Sequence, residues 1–168
     1  YARQRKAILY YDPNFRKAHA HEAIRLAPTL LENFEYADIV RGSDEDFLNI
    51  FGETDSEKVY TDHIRFYCDR LITTHGAGGV NLYHGDRHRH FDSPTIRPVS
   101  TIGAGDNFNA GILYGLLKYN VRHRDLVTLP QETWANIIRC GIDLATEVCH
   151  SYDNYISKEF ATSYLSQS

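Results

Sequence analysis

The sequence predicts an α/β fold in which a mainly parallel sheet carries helices on both faces and antiparallel strands at one edge. Up to Thr74, short apolar runs alternate with helical patterns, which is typical of parallel strands joined by helices. After Gly79, short strands follow one another with turn residues between them, which indicates hairpins at a sheet edge. A chain of 168 residues can hold one sizeable core, so one domain accounts for it.

Each predicted strand is a short run of apolar or β-branched residues that ends at a turn residue. The run Ile8-Leu9-Tyr10-Tyr11 stops at Asp12-Pro13, where proline fixes the bend. The run Leu71-Ile72-Thr73-Thr74 stops at a glycine cluster, and Gly85-Asp86 separates two later runs as a hairpin turn. In chain order, the predicted strands are 7–11, 39–41, 71–74, 80–83, 88–91 and 96–97.

Helices are predicted where apolar residues recur at intervals of three and four. Ser43 and Asp46 make a capping-box-like start for one helix. A second helix starts at or beside Asp106, because helical spacing relates the apolar residues that follow it: Phe108, Ile112, Leu113, Leu116 and Leu117. In chain order, the predicted helices are 20–32, 44–51, 57–68, 106–119 and 131–149.

Charge and composition narrow the class of partner. The net charge is −4, and no basic stripe with interleaved aromatic residues is present, which argues against nucleic acid or an anionic membrane as the main partner. No long apolar span or signal-like start occurs. Cys68, Cys140 and Cys149 are widely spaced, so we interpret them as buried free thiols. These observations predict a cytoplasmic protein with small-molecule partners.

The loop Gly103-Ala104-Gly105 leads directly into the helix at Asp106 and carries the clearest chemical signal. Small side chains let an anion approach the unpaired N–H groups at a helix N-terminus, where the helix dipole also favours negative charge. A carboxylate beside such a loop suits a general base that deprotonates a hydroxyl during phosphoryl transfer. The alternative interpretation is an ordinary N-capping Asp106 after a flexible loop.

This segment resembles the signature of the ribokinase-like sugar kinases, the phosphofructokinase-B family. That signature reads Asp-Thr-x-Gly-Ala-Gly-Asp-x-Phe followed by Ala-Gly, and both 101–108 and Ala110-Gly111 match it. Ser100 stands where the family has the leading Asp. The family's Asp helps hold a monovalent cation, and a neutral hydroxyl attracts a cation less, so the resemblance implies weak potassium dependence.

Three further segments resemble family motifs in the family's order. Asp12-Pro13-Asn14-Phe15-Arg16 is similar to a strand-terminal Asp-Pro-Asn-x-Arg, and 74–79 is similar to the Thr-x-Gly-x-x-Gly nucleotide loop. Ser43 and Asp46 stand where the family usually has Asn-x-x-Glu. The resemblance implies a three-layer ribokinase-like fold whose ligands lie at the carboxyl ends of the strands.

The resemblance also implies roles for individual residues. Asp106 would be the base that takes a proton from a sugar hydroxyl, with the backbone of Gly103, Ala104 and Gly105 as the anion hole. The ATP-binding residues it implies are Asn14, Thr74, Gly76, Gly79 and Gly141. Arg16, Gly103 and Asp106 would contact the substrate. Asp46 would organise water bound to Mg2+ near the phosphates. A role only in capping the helix together with Ser43 explains the presence of Asp46 equally well.

The resemblance covers nearly all of the chain but only the C-terminal half of a family member. The sequence contains no methionine, so we expect it to be a fragment, a processed chain or an incompletely recorded one. The resemblance implies that residues 1–168 are the C-terminal ATP-binding and catalytic part of one ribokinase-like domain. The N-terminal half and the lid, which supplies most sugar contacts, would then be absent. A homodimer would form through that missing lid.

The hypothesis that follows is an ATP-dependent carbohydrate kinase that phosphorylates a sugar hydroxymethyl group. One alternative is a nucleoside or vitamin kinase of the same fold. Another, from a different class, is a catalytically silent nucleotide-binding or interaction domain, which the departures at Ser100, Ser43 and Asp46 favour.

Overall fold

The computed structural model describes residues 3–166, and the chain divides after Asp92 into two compact units. The first unit holds a sheet and the helices that connect its strands, and the second holds three α-helices. Whether the chain belongs to a single larger domain stays a prediction. Within residues 3–166, no helix is both long enough and apolar enough to cross a membrane.

The sheet of the first unit has five strands in the order β1-β2-β3-β4-β5. β1 pairs with β2, and β2 with β3, in parallel, whereas β3, β4 and β5 pair antiparallel. The predicted antiparallel edge is therefore confirmed, and the five strands pair in parallel at two of their four junctions. The strands are β1 (Tyr10–Tyr11), β2 (Ile39–Ser43), β3 (Arg70–Thr74), β4 (Val80–His84) and β5 (Arg87–Phe91).

The local sequence explains the sheet's centre and its hairpin. β2 and β3 are buried at consecutive positions, which their apolar residues Ile39, Val40, Leu71 and Ile72 allow. Gly85 lies in the left-handed region, with φ of +59°, and begins the tight turn between β4 and β5. The predicted hairpin is confirmed.

The helices of the first unit follow the predictions in part. They are α1 (Ala23–Tyr36), α2 (Asp44–Phe51) and α3 (Ser56–Lys58). α2 has the predicted bounds. α1 begins three residues later than predicted because the chain first forms a 3₁₀ segment, Lys17–Glu22. The predicted helix 57–68 is wrong in type, because α3 continues as a π-helix over Val59–Ile64.

One cluster of buried side chains forms the core of the first unit. Phe34, from α1, is fully buried and meets the Tyr11 ring edge-on, with 5.7 Å between ring centroids. The helices contribute further buried aromatic and aliphatic side chains, and the sheet and the loops contribute the rest. The fully or nearly fully buried members are Phe34, Val40, Phe47, Val59, Ile64 and Leu71.

In the second unit, α4 (Ala104–Lys118) and α5 (Gln131–Val148) pack against each other, and α6 (Lys158–Ser166) follows. Glycines permit this packing. A Cβ added at Gly111 would lie 2.3 Å from the carbonyl oxygen of Cys140, so the two backbones are in direct contact there. α6 was not predicted; its Tyr164 hydroxyl donates to Oδ2 of Asp143 on α5 at 2.7 Å. All three cysteines are buried and unpaired, as predicted.

The predicted strand 96–97 is wrong. This segment pairs with no strand among residues 3–166, and Val99 instead donates its N–H to the carbonyl of Cys149 at 2.8 Å. Pro94 and Pro98 flank the segment, and proline supplies no N–H to a strand ladder. One apolar residue, Ile96, between two prolines was too weak a pattern for a strand.

Gly111→Ala tests the contact between α4 and α5. Helix propensity alone would stabilise the protein by about 1 kcal/mol, but overpacking a tight contact typically costs about 1–3 kcal/mol. Because the closest atom is backbone, which cannot rotate away, we expect the free energy of unfolding to fall by about 2 kcal/mol in urea denaturation. Gly115→Ala is the matched control, since its Cβ would lie 3.0 Å from Ile137, and its loss should be smaller. A stabilised Gly111→Ala variant would contradict the close packing.

Candidate active site

The loop before α4 contains backbone N–H groups that have no acceptor within residues 3–166. α4 begins at Ala104, two residues before the predicted start, and Gly103 precedes it with φ of +80°. The N–H of Ala104 donates to the carbonyl of Thr101 at 3.2 Å, and the first intrahelical bond joins Asn107 to Gly103 at 2.9 Å. The N–H groups of Gly105 and Asp106 have no acceptor within residues 3–166. The loop therefore presents two free donors at a helix N-terminus.

Asp106 does not cap α4. Gly103 holds the N-cap position, and the helix has no side-chain cap. Asp106 is the third helical residue, is exposed, and has no hydrogen-bond or ionic partner in the described part of the chain. The capping interpretation is therefore wrong for this residue. Its carboxylate is open to solvent beside the two free N–H groups, where the helix dipole favours a negative charge.

The segment after α5 packs against this loop. The side-chain amide of Asn107 donates to the carbonyls of Gly103 and Asn154, at 2.9 and 3.0 Å. A Cβ added at Gly103 would lie 2.9 Å from the Asn154 carbonyl oxygen. Ser100 also supports the loop, because its hydroxyl accepts the N–H of Ile102 at 3.2 Å. Both the positive φ and the close neighbour therefore require glycine at 103.

In the first unit, a buried guanidinium joins the carboxyl ends of three neighbouring strands. Nη1 of Arg41, on β2, donates to Oδ2 of Asp12, just after β1, at 2.8 Å. Nη2 of Arg41 donates to Oγ1 of Thr74, the last residue of β3, at 2.7 Å. The Arg41 side chain is only 8% exposed. Sequence reasoning missed Arg41, because a basic residue within a buried strand carries no motif.

Asn14 and Arg16 lie in the turn that follows β1. The N–H of Asn14 donates to Oδ1 of Asp12 at 2.9 Å, and Asn14 has φ of +44°. Nε of Arg16 donates to Oδ1 of Asn14 at 3.1 Å. Both side chains are exposed, so both are accessible to a ligand. The predicted turn after Asp12-Pro13 is present.

Asp46 is the reciprocal partner of Ser43 at the start of α2. Its Oδ2 accepts the Ser43 N–H at 2.8 Å and the Ser43 hydroxyl at 2.6 Å, and its own N–H donates to Oγ of Ser43 at 3.2 Å. Within residues 3–166 no group of three His, Cys, Asp or Glu side chains is arranged for a metal. One remaining carboxylate oxygen could contact water around an ion, but these residues do not form a protein-held Mg2+ cage.

The glycine loop between β3 and β4 uses most of its own donors. His75 donates its N–H to Gly79 O at 2.9 Å, Gly78 to His75 O at 2.9 Å, and Gly79 to Gly76 O at 3.2 Å. Gly76 and Gly79 have φ of +55° and +91°. A Cβ on Gly79 would lie 2.3 Å from the Phe91 carbonyl oxygen, so the loop is pressed against β5. The loop is a closed turn, exposed at 76–78 and buried at Gly79, rather than an open anion cradle.

Gly141 lies within the contact between α5 and α4. A Cβ at this position would lie 2.8 Å from the Phe108 ring and 3.1 Å from Ile112. Close helix packing therefore explains this glycine, and its contact with ATP stays a prediction.

The predicted site residues fall into one set in each unit. Asp12, Ser43 and Thr74 lie at the carboxyl ends of adjacent strands, as predicted, with Asn14 and Gly76 in the loops that follow. Gly103, Ala104, Gly105 and Asp106 form the start of α4 in the second unit.

Burial raises the pKa of Tyr10, which lies beside the Arg41 ion pair, so the Tyr10 hydroxyl keeps its proton.

Comparison with known proteins identifies the family. The model of the pfkB family carbohydrate kinases matches residues 1–159. The chain therefore belongs to the pfkB family. A fructokinase from Rhizobium leguminosarum bv. trifolii is 30% identical over 131 residues, which is 77% of this chain and 40% of that protein.

Two solved structures share the fold. Aminoimidazole riboside kinase from Salmonella enterica, complexed with aminoimidazole riboside and an ATP analog, superposes with a TM-score of 0.77 at 20% identity over 95% of this chain and 53% of that one. Fructokinase with bound ATP from Xylella fastidiosa superposes with a TM-score of 0.78 at 18% identity over 99% and 54%. The predicted ribokinase-like fold is confirmed. The chain spans less than half of the curated relative and about half of each solved chain.

Arg41→Met tests whether the guanidinium holds the strand ends together. The change keeps much of the bulk but leaves Asp12, itself 15% exposed, without its cation. Breaking a buried ion pair from one side costs about 3–5 kcal/mol, and the partial exposure places this case near 3. Adding Asp12→Asn should recover part of the loss, because the uncompensated charge is then gone. A urea midpoint unchanged in Arg41→Met would rule out this role.

Proposed function

We propose that the protein transfers the γ-phosphoryl group of ATP to a sugar hydroxymethyl group. The observation that supports this most directly is the start of α4, where two N–H groups and an exposed carboxylate have no partner among residues 3–166. Free donors at a helix N-terminus stabilise developing negative charge, which is the main requirement of phosphoryl transfer. Membership of the pfkB family supports the same reaction.

In the proposed reaction, Asp106 is the general base. Its carboxylate takes the proton of the substrate hydroxyl as that oxygen forms a bond to the γ-phosphorus, and the bond from phosphorus to ADP breaks. The Gly103-Ala104-Gly105 backbone is the anion hole, in which the free N–H of Gly105 is the donor best placed by the helix start. Gly103 and Asp106 also contact the substrate in this proposal.

The remaining predicted residues are assigned to the nucleotide and substrate. Thr74, Gly76 and Gly79 would contact ATP together with Asn14. The Asn14 side chain is exposed, and its N–H donates to Asp12 just after β1. Gly141 would contribute through α5. Arg16 carries an exposed guanidinium suited to a polar substrate group.

Mg2+ would come with the nucleotide phosphates and neutralise their charge. Asp46 is retained as a contact to its water shell, because the structure gives Oδ1 of Asp46 no hydrogen bond within the described ranges.

The acceptor is proposed to be a ketohexose such as fructose, because the Rhizobium leguminosarum relative is named a fructokinase. A nucleoside is the second candidate, since the Salmonella enterica structure was solved with aminoimidazole riboside. Phosphorylation of a panel of sugars, nucleosides and pyridoxal-type alcohols by the full-length protein distinguishes them. Silence across the panel would favour a nucleotide-binding domain without catalysis. Dimerisation through a lid and a cytoplasmic location stay predictions.

Asp106→Asn is the direct test of the base. The amide keeps the side chain's size but accepts no proton, so the phosphorylation rate of the full-length protein should fall roughly 10²–10⁴-fold. ATP affinity should change little, because the backbone donors remain. The control is Asp125→Asn, a carboxylate outside the site that accepts the Arg122 N–H. Near-normal turnover by Asp106→Asn would exclude the assigned role.

Gly105→Val tests the anion hole separately from the base. A branched side chain beside the free N–H groups would obstruct a phosphate without removing a proton acceptor. ATP affinity and rate should both fall at least about tenfold, whereas the helix propensities of glycine and valine differ by less than about 1 kcal/mol, so the stability should change little. Isothermal titration and thermal unfolding measure the two effects. If loss of fold accounts for all of the loss of binding, the loop is structural.

A further inference from the structure

The segment that follows α5 holds the loop before α4 at two points. The N–H of Val99 donates to the carbonyl of Cys149 at 2.8 Å, and Nδ2 of Asn107 donates to the carbonyl of Asn154 at 3.0 Å. The loop 103–105 lies between these two contacts in the sequence. The first contact joins backbone atoms only, so most residue types could make it. The second contact depends on which side chain stands at position 107.

The Asn107 amide bridges two carbonyl oxygens. Besides the Asn154 carbonyl, Nδ2 donates to the carbonyl of Gly103 at 2.9 Å, and the same oxygen accepts the backbone N–H of Asn107 at 2.9 Å. An amide nitrogen carries two protons, so one Nδ2 can serve both carbonyls. With the amide rotated, Oδ1 would face two carbonyl oxygens, and no donor would remain among the three atoms. Hydrogen-bond chemistry therefore determines the orientation of this side chain.

The bridge requires the particular chemistry of asparagine. A serine or threonine hydroxyl has one proton, and an aspartate carboxylate has none, so neither can bind both carbonyls at once. Position 107 is the fourth residue of α4, where a serine hydroxyl donates back to the carbonyl four residues earlier, which is that of Gly103. A hydroxyl at this position would thus keep one contact and lose the other, the contact to Asn154.

The bridge fixes the backbone from which the N–H groups without acceptors project. Gly103 lies in the left-handed region, with φ of +80°, and a Cβ added there would lie 2.9 Å from the carbonyl oxygen of Asn154. Without the amide, the Asn154 carbonyl would lose the donor that holds it against Gly103. Glycine has many accessible conformations, so Gly103 would be free to rotate. Such a rotation would reorient the N–H groups of Gly105 and Asp106, two and three residues further on.

We propose that Asn107 is a positioning residue for the anion hole, whose amide holds the backbone of Gly103 against Asn154 and thereby aligns the N–H groups of Gly105 and Asp106 with the transferring phosphoryl group. The inference rests on the proposed function, in which this loop is the anion hole. In this scheme Asn107 touches no reacting atom and acts through the backbone alone.

The expected signature is a loss of kcat without a matching loss of ATP binding. An anion hole stabilises charge that develops in the transition state, and loss of an interaction made there lowers kcat while leaving KM nearly unchanged. Asn107→Ala removes both donated bonds and adds neither bulk nor charge. In the full-length protein its kcat should fall at least about tenfold, because misplacement by about 1 Å can cost roughly 10²-fold. Its KM for ATP should stay within about twofold of wild type.

Asn107→Ser separates the two bonds of the bridge. Its hydroxyl can donate to the Gly103 carbonyl but not at the same time to that of Asn154, so kcat should stay at least about threefold below wild type. The matched control is Asn136→Ala, which removes an asparagine of α5 whose Oδ1 accepts from Arg139 at 2.9 Å. This control should keep the wild-type kcat and KM. Thermal unfolding shows whether each variant is folded, and Asn107→Ser carries the test if Asn107→Ala does not fold.

A second readout needs neither nucleotide nor acceptor. Amide hydrogen exchange over residues 151–155 should be faster in Asn107→Ala than in wild type and unchanged in Asn136→Ala, because only the first loses the bond to Asn154. Unchanged exchange, a kcat within about twofold of wild type, or a loss confined to KM would each overturn the inference. A wild-type protein that phosphorylates no acceptor would instead overturn the proposed reaction, and the inference with it.

Discussion

The first unit depends on the ion pair that Arg41 makes at the carboxyl ends of its strands. Parallel strands end with their ligand-binding loops at one edge of the sheet, and nothing in the strand ladder itself fixes how those loops leave the edge. The guanidinium supplies that constraint, because it binds Asp12 and Thr74 at the same time. Asp12 in turn holds the Asn14 turn through its other oxygen. One buried cation therefore determines the geometry of two loops that the family motif assigns to ligand binding.

Two glycine-rich loops of similar composition differ in how they use their backbone N–H groups. In the Gly76–Gly79 loop, the N–H groups of Gly78 and Gly79 are bonded within the turn, as is that of His75, so glycine serves shape and close packing against β5. In the loop before α4, the N–H groups of Gly105 and Asp106 have no acceptor within residues 3–166. Both loops resemble phosphate-binding loops in the sequence. Their backbone hydrogen bonds distinguish a closed turn from a loop whose N–H groups are available to a ligand.

Features that depend on residues close together in the sequence could be predicted, and features that depend on residues far apart could not. α2 was predicted to the residue because its capping box joins positions 43 and 46, and such local chemistry is visible in the sequence. The start of α4 was placed two residues late because glycine at positions 103 and 105 hides a helix boundary. Arg41 was missed because its partners are 29 and 33 residues away. The hydrogen bonds that join Ser56 to Thr73 and to His75 were missed for the same reason, because they span 17 and 19 residues.

The contrast between Asp46 and Asp106 shows how the chain frees a carboxylate for chemistry. Each is the third residue of its helix, where negative charge is favoured. Ser43 at the N-cap of α2 returns two hydrogen bonds to Asp46, which is buried and structural. Gly103 at the N-cap of α4 has no side chain to do so, and Asp106 is exposed and has no partner within residues 3–166. The same residue type at the same helical position is thus a cap in one place and an accessible carboxylate in the other. The neighbour three residues earlier decides between the two roles.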